Sequence, residues 1–269
     1  MQGRVLIVAG SDSGGGAGIQ ADIKAVTALN GFAMTAITAL TAQNTLGVHG
    51  VLPIPPGFIR QQIDVVMQDI GADAIKIGML GDSITIDAVA DAILAHAPDS
   101  PAVLDPVMVA KGGHHLLADE AVAVLRRRLL PLAAVITPNL PEAEALTGLP
   151  PIETEAGMRQ AATALLGMGA RAVLLKGGHL PSDTVIDLLA TRAGIDSFSA
   201  PRIQTRHTHG TGCTLASAVA AGLAQGMALR DAVERARRYV RQAIAAAPGF
   251  GRGHGPLDHA VTVDPARLF

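Results

Sequence analysis

Short unbroken apolar runs alternate along this chain with stretches whose apolar residues recur every third or fourth position. Val5 to Ala9 is a run of the buried-strand kind, and Ile19, Ile23, Val26 and Leu29 then mark one helical face. Ala33 to Thr41 and Gly47 to Ile54 are predicted as strands around a turn at Gln43, Asn44 and Thr45. Pro55 and Pro56 open a helix that runs to about Ile70, since proline fits the first turn of a helix. Ala74 to Ile77 reads as a strand, followed by a helix that ends near His96. Ala102 to Leu104 and Val135 to Ile136 are short strands, the second running into a polar stretch, Thr137 to Glu144. Thr154 to Met168 is a helix and Ala172 to Lys176 a strand. Asp183 to Ala190 and Ile195 to Ala200 form a late β pair. Leu215, Val219 and Leu223 place a buried helix over Leu215 to Gln225, and Leu229 to Ala247 closes the chain as another.

Strands alternating with helices at this spacing predict an α/β fold with a mainly parallel sheet and helices on both faces. No repeat, low-complexity linker or composition break divides the 269 residues, so a single domain over residues 1–269 is expected. Ligands of such sheets bind beyond the carboxyl ends of the strands. Asp105, Asn139, Glu142 and Lys176 all follow apolar runs and are therefore candidates for that edge.

Composition narrows the function classes. With 49% hydrophobic and 16% charged residues, the chain is globular. A formal net charge of -2, from 21 basic and 23 acidic residues, gives no footprint for nucleic acid or a membrane surface. The aromatic share of 2%, without tryptophan, argues against a surface that stacks bases. The single cysteine excludes an internal disulfide framework and fits a reducing cytoplasm. No signal-peptide pattern precedes the first strand, and no apolar run approaches the ~20 residues of a membrane span.

The candidate chemistry centres on His207 to Thr214, where Gly210, Thr211 and Gly212 lead into Cys213 and a helix. The first N–H groups of a helix lack intrahelical partners and lie at its positive end, so glycines there make an anion hole. The same field would favour thiolate at Cys213. A glycine-rich turn with a small buried cysteine is the plainer alternative. The earlier loop, Gly10 to Gly18, lacks the third glycine of a dinucleotide fingerprint and the Lys-Ser/Thr of a Walker A motif. Asn139 and Glu142 either organise a hydrated Mg²⁺ beside phosphates or form a capping box. Lys176 either neutralises a phosphoryl group or is a solvated strand-end lysine. Asp105 either holds metal or caps a turn. His207 and His209 could face one side as metal ligands, but no third ligand follows at motif spacing. Met79 and Met108 read as pocket or core fillers.

Seven stretches in one order carry a resemblance that spans most of the chain. They are AGSDSGGGAGIQADIKA (Ala9 to Ala25), TALTAQNT (Thr38 to Thr45), KIGML (Lys76 to Leu80), DPVMVAKGG (Asp105 to Gly113), TPNLPEAE (Thr137 to Glu144), LLKGGH (Leu174 to His179) and HGTGCT (His209 to Thr214). Together they resemble the hydroxymethylpyrimidine/phosphomethylpyrimidine kinases of thiamine biosynthesis, in the ribokinase-like superfamily. The resemblance implies a ribokinase-like three-layer sandwich, ATP and Mg²⁺ as cofactors, a small pyrimidine substrate phosphorylated twice, a homodimer and a cytoplasmic setting. It implies that Gly210 and Gly212 form the anion hole, joined by Thr211, with Cys213 where sugar-kinase relatives carry a catalytic Asp. It places Gln43, Gly10, Asp22, Met79 and Val107 at the pyrimidine. Asp105, Asn139 and Glu142 would serve Mg²⁺ and phosphates, and Lys176 the ATP phosphates. Lys111 to His115 departs from the pattern, where a Ser is expected in or near the second glycine's place.

Two rivals remain at this point. A pyridoxal kinase is the nearest, because pyridoxine also offers a ring hydroxymethyl; the amide of Gln43 suits an aminopyrimidine better. A cysteine-dependent hydrolase or acyltransferase would use Cys213 as nucleophile and His207 or His209 as base, leaving Asn139, Glu142 and Lys176 without a role.

Overall fold

The structure, a computed structural model, describes residues 2–109, 116–264 and 266. The chain opens with β1 (Arg4–Ala9), α1 (Gly18–Ala28) and β2 (Phe32–Ile37), then a hairpin of β3 (Ala39–Asn44) and β4 (Gly47–Pro53). Next come α2 (Pro56–Asp69), β5 (Ala74–Ile77), α3 (Ser83–His96), β6 (Ala102–Leu104), α4 (Asp119–Arg128), β7 (Ala133–Ile136), α5 (Leu140–Thr147) and α6 (Glu155–Gly167). The remainder is β8 (Ala172–Lys176), β9 (Thr184–Thr191), β10 (Gly194–Pro201), α7 (Thr211–Ala224) and α8 (Leu229–Ala245).

Eight strands form one sheet in the order β10-β9-β8-β7-β6-β5-β1-β2. From β2 to β8 the pairings are parallel, and β9 and β10 add antiparallel partners at the far edge. β1 is buried on both faces, which is why it reads as a continuous apolar run and not as an alternation. One core lies between the sheet and α2 to α6 and includes Leu6, Ile63, Ile86, Leu129 and Leu165. The second lies under α1, α7 and α8 and includes Ile7, Val26, Val219, Val233 and Val240. This is the expected three-layer α/β sandwich. α7 is buried almost all round, and its alanines let α1, α8 and the sheet approach it closely.

Several elements differ from the sequence expectation. The predicted strand Ala33 to Thr41 is two strands, because the chain leaves the sheet at Thr38. That residue is buried, donates through Oγ1 to Met79 O at 2.6 Å and through its N–H to Ala9 O at 3.0 Å. β3 and β4 then stand off the main sheet as their own pair. Gln43 lies in β3 beside a bulge, and the hairpin turn falls at Thr45 and Leu46 instead. α5 starts where the capping-box alternative for Asn139 and Glu142 puts a helix, and α4 has no counterpart in the prediction. Within α1, Ile23 is exposed and Asp22 fully buried, the reverse of the apolar face inferred from the pattern. Lys111 to His115 lies outside the described residues.

The order of strands places the site. From β1 the chain steps to β2 on one side, then returns on the other side of β1 through β5 and continues outward to β8. Adjacent connections leave β1 and β5 in opposite directions, and the crevice this opens at the strand ends is where doubly wound sheets bind ligands.

Candidate active site

Five strands of the main sheet, β1, β5, β6, β7 and β8, each bring a candidate residue to the region beyond the carboxyl end. Gly10 follows β1, Gly78 and Met79 follow β5, Asp105 follows β6, Asn139 lies three residues past β7, and Lys176 ends β8. They open on a cavity of about 960 Å³. Twelve of the sequence candidates line it: Gly10, Gln43, Met79, Asp105, Val107, Asn139, Glu142, Lys176, Gly210, Thr211, Gly212 and Cys213. Asp22 is the exception. It sits behind the wall, where it grips Lys76, and Lys76 is the residue that reaches the lining.

The start of α7 faces this edge. Gly210, its N-cap, has φ +80, and a Cβ there would fall 1.8 Å from Gly16 O, so only glycine fits. At Gly212 an added Cβ would stand 3.2 Å from Lys176 Nζ and 3.6 Å from Asp105 Oδ2. The free N–H groups of the helix start are thus held beside an ammonium, which is the geometry of an anion hole. His259 buttresses the same turn, with Nε2 2.9 Å from Thr214 Oγ1.

Two lysines bring positive charge to this end of the cavity. Lys76 is 0% exposed and donates to Asp22 Oδ2 at 2.8 Å, while Ser217 Oγ donates to the other oxygen at 2.7 Å. Burial alone would neutralise Lys76, but the carboxylates of Asp22 and Asp105 reverse this and keep the ammonium charged. Stripping one partner from such a pair costs about 3–5 kcal/mol, so the two residues are locked together. Lys176 donates to Asp105 Oδ1 at 3.0 Å and lies 3.9 Å from Glu142 Oε2. Burial pulls its pKa down, and Asp105 and Glu142 outweigh the pull. The spacing of Lys76 gave no hint of its role, because a lysine inside a strand reads as solvated; its flanking apolar residues were the available signal.

Asn139 and Glu142 form the capping box of α5. Glu142 N–H donates to Asn139 Oδ1 at 2.9 Å, and Asn139 N–H donates to Glu142 Oε2 at 2.8 Å. Capping and ligand binding are compatible here, because both residues also line the cavity. Burial, with the like charge of Asp105, pushes the Glu142 carboxyl up to about 7 against the pull of Lys176. Among the described residues no group of three His, Cys, Asp or Glu could enclose a metal ion. The donor set fits Mg²⁺ of a different kind, one that keeps its waters and uses one or two carboxylates plus phosphate oxygens. The bonds above occupy Asp105 Oδ1 and Glu142 Oε2 and leave Oδ2 and Oε1 for such an ion.

Cys213 corrects the thiolate expectation. Gly18 N–H and Lys76 favour the anion, but burial, Asp22 and Asp105 prevail and push the thiol up to about 12. His209 is no base for it either: its Nε2 lies 3.0 Å from Asp12 Oδ2 and 3.0 Å from the Gln43 amide. A hydrolase needs a nucleophile paired with a base, and among the described residues Cys213 is paired with neither histidine: His209 is held by Asp12 and Gln43, and His207 Nδ1 has no hydrogen-bond partner. The same bonds remove His209 as a metal ligand.

Ile203 beyond β10, with Val240 and Ile244 on α8, adds apolar lining among Arg202, Arg206, Arg237 and Arg241. Nothing in their spacing announced it. An open parallel sheet whose switch point faces a cationic helix start fits a phosphotransferase of the ribokinase-like class. The model of the phosphomethylpyrimidine kinase family matches residues 12–258, and the chain belongs to that family. A hydroxymethylpyrimidine/phosphomethylpyrimidine kinase of Bacillus subtilis is 49% identical over 257 residues, covering 95% of this chain and 94% of the relative. The thiamine biosynthesis bifunctional protein ThiED of Geobacter sulfurreducens is 53% identical over 99% of this chain, which spans about half (54%) of that relative's length. Among solved structures, an ADP complex of Bacillus subtilis pyridoxal kinase aligns at TM-score 0.91 and 37% identity, covering 98% of this chain and 100% of that one. Phosphomethylpyrimidine kinase from Clostridium difficile 630 aligns at TM-score 0.79 and 39% identity, covering 90% and 99%.

The state of Cys213 makes a pH prediction. The folded protein holds the thiol proton up to about pH 12, whereas an ordinary cysteine releases it near 9.0. This group's contribution to stability is fully present below pH 9 and lost as pH rises through about 12. Iodoacetamide should therefore label native Cys213 far more slowly at pH 8 than the denatured chain. Equal rates, read by intact mass, would mean that the fold does not hold the thiol protonated.

Proposed function

We propose that this chain transfers the terminal phosphoryl group of ATP to the hydroxymethyl oxygen of 4-amino-5-hydroxymethyl-2-methylpyrimidine, and then phosphorylates the monophosphate to the diphosphate. The observation that carries this is the meeting, in one cavity, of the α7 start with Lys176 on one side and Gly10, Gln43 and Met79 on the other. The family assignment supports the same reaction.

Phosphoryl transfer proceeds through a loose transition state with charge spread on the phosphoryl oxygens, so positioning and electrostatics dominate. The N–H groups at Gly212 and Cys213 and the ammonium of Lys176 would meet that charge. Each such donor is worth about 10²–10³ in rate in comparable anion holes. The substrate hydroxyl oxygen forms the new bond to the phosphorus as the bond to the ADP oxygen breaks. Asp105 and Glu142 would hold Mg²⁺, which when bound draws charge from the phosphate oxygens. Cys213, which lines the cavity at the helix start, would lie beside the accepting hydroxyl. As a neutral thiol it is not a preformed base, which this chemistry tolerates because a base contributes only about 10²–10⁴-fold. Gln43 would read the ring, since an amide offers a donor and an acceptor side by side. Adenine would take the apolar lining at Ile203, Val240 and Ile244.

Pyridoxal phosphorylation is a second reading favoured by one observation: the pyridoxal kinase structure aligns at the higher TM-score of the two. One assay separates them. The purified chain with Mg·ATP and either the aminopyrimidine or pyridoxal should give pyrimidine monophosphate and then diphosphate by mass spectrometry, with the aminopyrimidine preferred in kcat/KM. Absence of ADP formation with the aminopyrimidine would end this reading.

The assembly proposed is a homodimer. Leu40 and Leu52 pair across the β3–β4 hairpin and are 42% and 62% exposed, an apolar pair on a surface that monomers usually keep polar. Sedimentation should give twice the chain mass, and Leu52→Glu should shift it to one. A monomeric parent would refute the assembly without touching the chemistry.

A further inference from the structure

His209 reaches Asp12 and Gln43 with the same nitrogen, and that shared contact decides how Gln43 is oriented. Its Nε2 stands 3.0 Å from Asp12 Oδ2 and 3.0 Å from the Gln43 Nε2 position. A ring nitrogen carries either a proton or a lone pair, never both. Asp12 Oδ2 only accepts, and it already takes the N–H groups of Gly16 at 3.0 Å and Ala17 at 2.8 Å. The carboxylate is buried and bound on its other oxygen by Gly14 N–H at 2.8 Å, so it cannot turn away. Histidine Nε2 must therefore donate to it, whether the ring is neutral or charged. That one proton can be shared in a three-centre bond with an acceptor on the Gln43 side, but a second N–H donor 3.0 Å away only repels it, so an amide nitrogen is the wrong neighbour.

The far end of the amide leads to the same result. Thr41 Oγ1 lies 3.3 Å from the Gln43 Oε1 position, but its single proton is committed to Ser11 O at 2.8 Å. Thr41 then has only lone pairs to offer and needs a donor opposite. Rotating the amide by 180° removes both mismatches: Oε1 takes a share of the Nε2 proton beside Asp12, and Nε2 donates to Thr41. Each amide atom keeps something in reserve. The oxygen has a second lone pair and the nitrogen a second proton, and Gln43 lines the cavity.

We propose that His209, clamped by Asp12, is a positioning residue that fixes the polarity of the Gln43 amide. The ring amino group then pairs with Oε1 on the His209 side and the adjacent ring nitrogen with Nε2 on the Thr41 side. This deepens, and rests on, the reading of the chain as an aminopyrimidine kinase. It gives His209 a purpose other than metal or base, and it makes the first glycine loop, through Asp12, part of substrate selection.

The test compares kcat/KM for the aminopyrimidine with that for 2-methyl-5-hydroxymethylpyrimidine, which lacks the amino group. The four proteins are the parent, His209→Leu, Gln43→Ala and the double variant; His209→Phe replaces His209→Leu where the latter does not fold. The parent should prefer the amino compound. His209→Leu should lower that preference at least about 10-fold, the scale of one mispaired buried polar group, with KM for ATP within about twofold. In the Gln43→Ala background the same change should move the preference less than about twofold, because no amide is left to orient. His209→Gln, which keeps an N–H donor, should recover part of the preference. An unchanged preference in His209→Leu, or an equal loss in both backgrounds, would overturn the proposal, and a lowered melting temperature with unchanged preference would do so too. A parent that does not phosphorylate the aminopyrimidine at all defeats the proposed function instead.

Discussion

Lys76 has no contact with bulk water, yet it stays an ammonium because Asp22 stands 2.8 Å away. The rest of the site depends on that compensation. A phosphate-transferring cavity gains from positive charge in a water-poor place, where each charge acts strongly. The same place penalises every unpaired ion. This chain resolves the conflict by giving each lysine an aspartate drawn from a different strand or helix. Lys76 on β5 meets Asp22 on α1, and Lys176 on β8 meets Asp105 after β6. The pairs tie the layers together across long sequence separations, so the positive field and the fold are made by the same bonds. Thr137 and Ser217 satisfy further carboxylate lone pairs, at 3.0 Å and 2.7 Å.

The two glycine-rich stretches divide the work between them. The loop after β1 has the glycines of a phosphate cradle, but its N–H groups at Gly14 and Gly16, with Ala17, are already spent on Asp12. The anion in that nest is the chain's own carboxylate. At Gly210 to Gly212, by contrast, no side chain caps the helix start. That difference marks the second stretch as the anion hole and gives the first a scaffolding part: it presses Gly16 O against Gly210 and holds Asp12 against His209.

Much of this was legible in the sequence. Apolar runs such as Val5 to Ala9 and the 3.6-residue pattern of α7 report burial directly, so the α/β order and the late β pair emerged with their approximate bounds. Polar residues placed directly after apolar runs reached the cavity, because parallel strands must all end on one edge. What stayed hidden has a common physical cause. The break at Thr38 is imposed by bonds to Ala9 and Met79, which no local pattern records. The inward turn of Asp22 and the outward turn of Ile23 depend on Lys76, 54 residues away in sequence. The field at Cys213 was read from the helix alone, whereas burial and two nearby carboxylates decide the outcome. Long-range electrostatic pairing, and not secondary structure, is the part a single sequence conceals.

The central claim is that phosphoryl transfer occurs over the start of α7 and not in the glycine loop after β1. A crystal structure of the chain with the aminopyrimidine and Mg²⁺ and a non-hydrolysable ATP analogue tests it directly. The account predicts the terminal phosphate within hydrogen-bond distance of the Gly212 and Cys213 N–H groups and of Lys176 Nζ, with the ring against the Gln43 amide. A triphosphate seated instead on the N–H groups of Gly14 to Ala17, with Asp12 displaced, would contradict it.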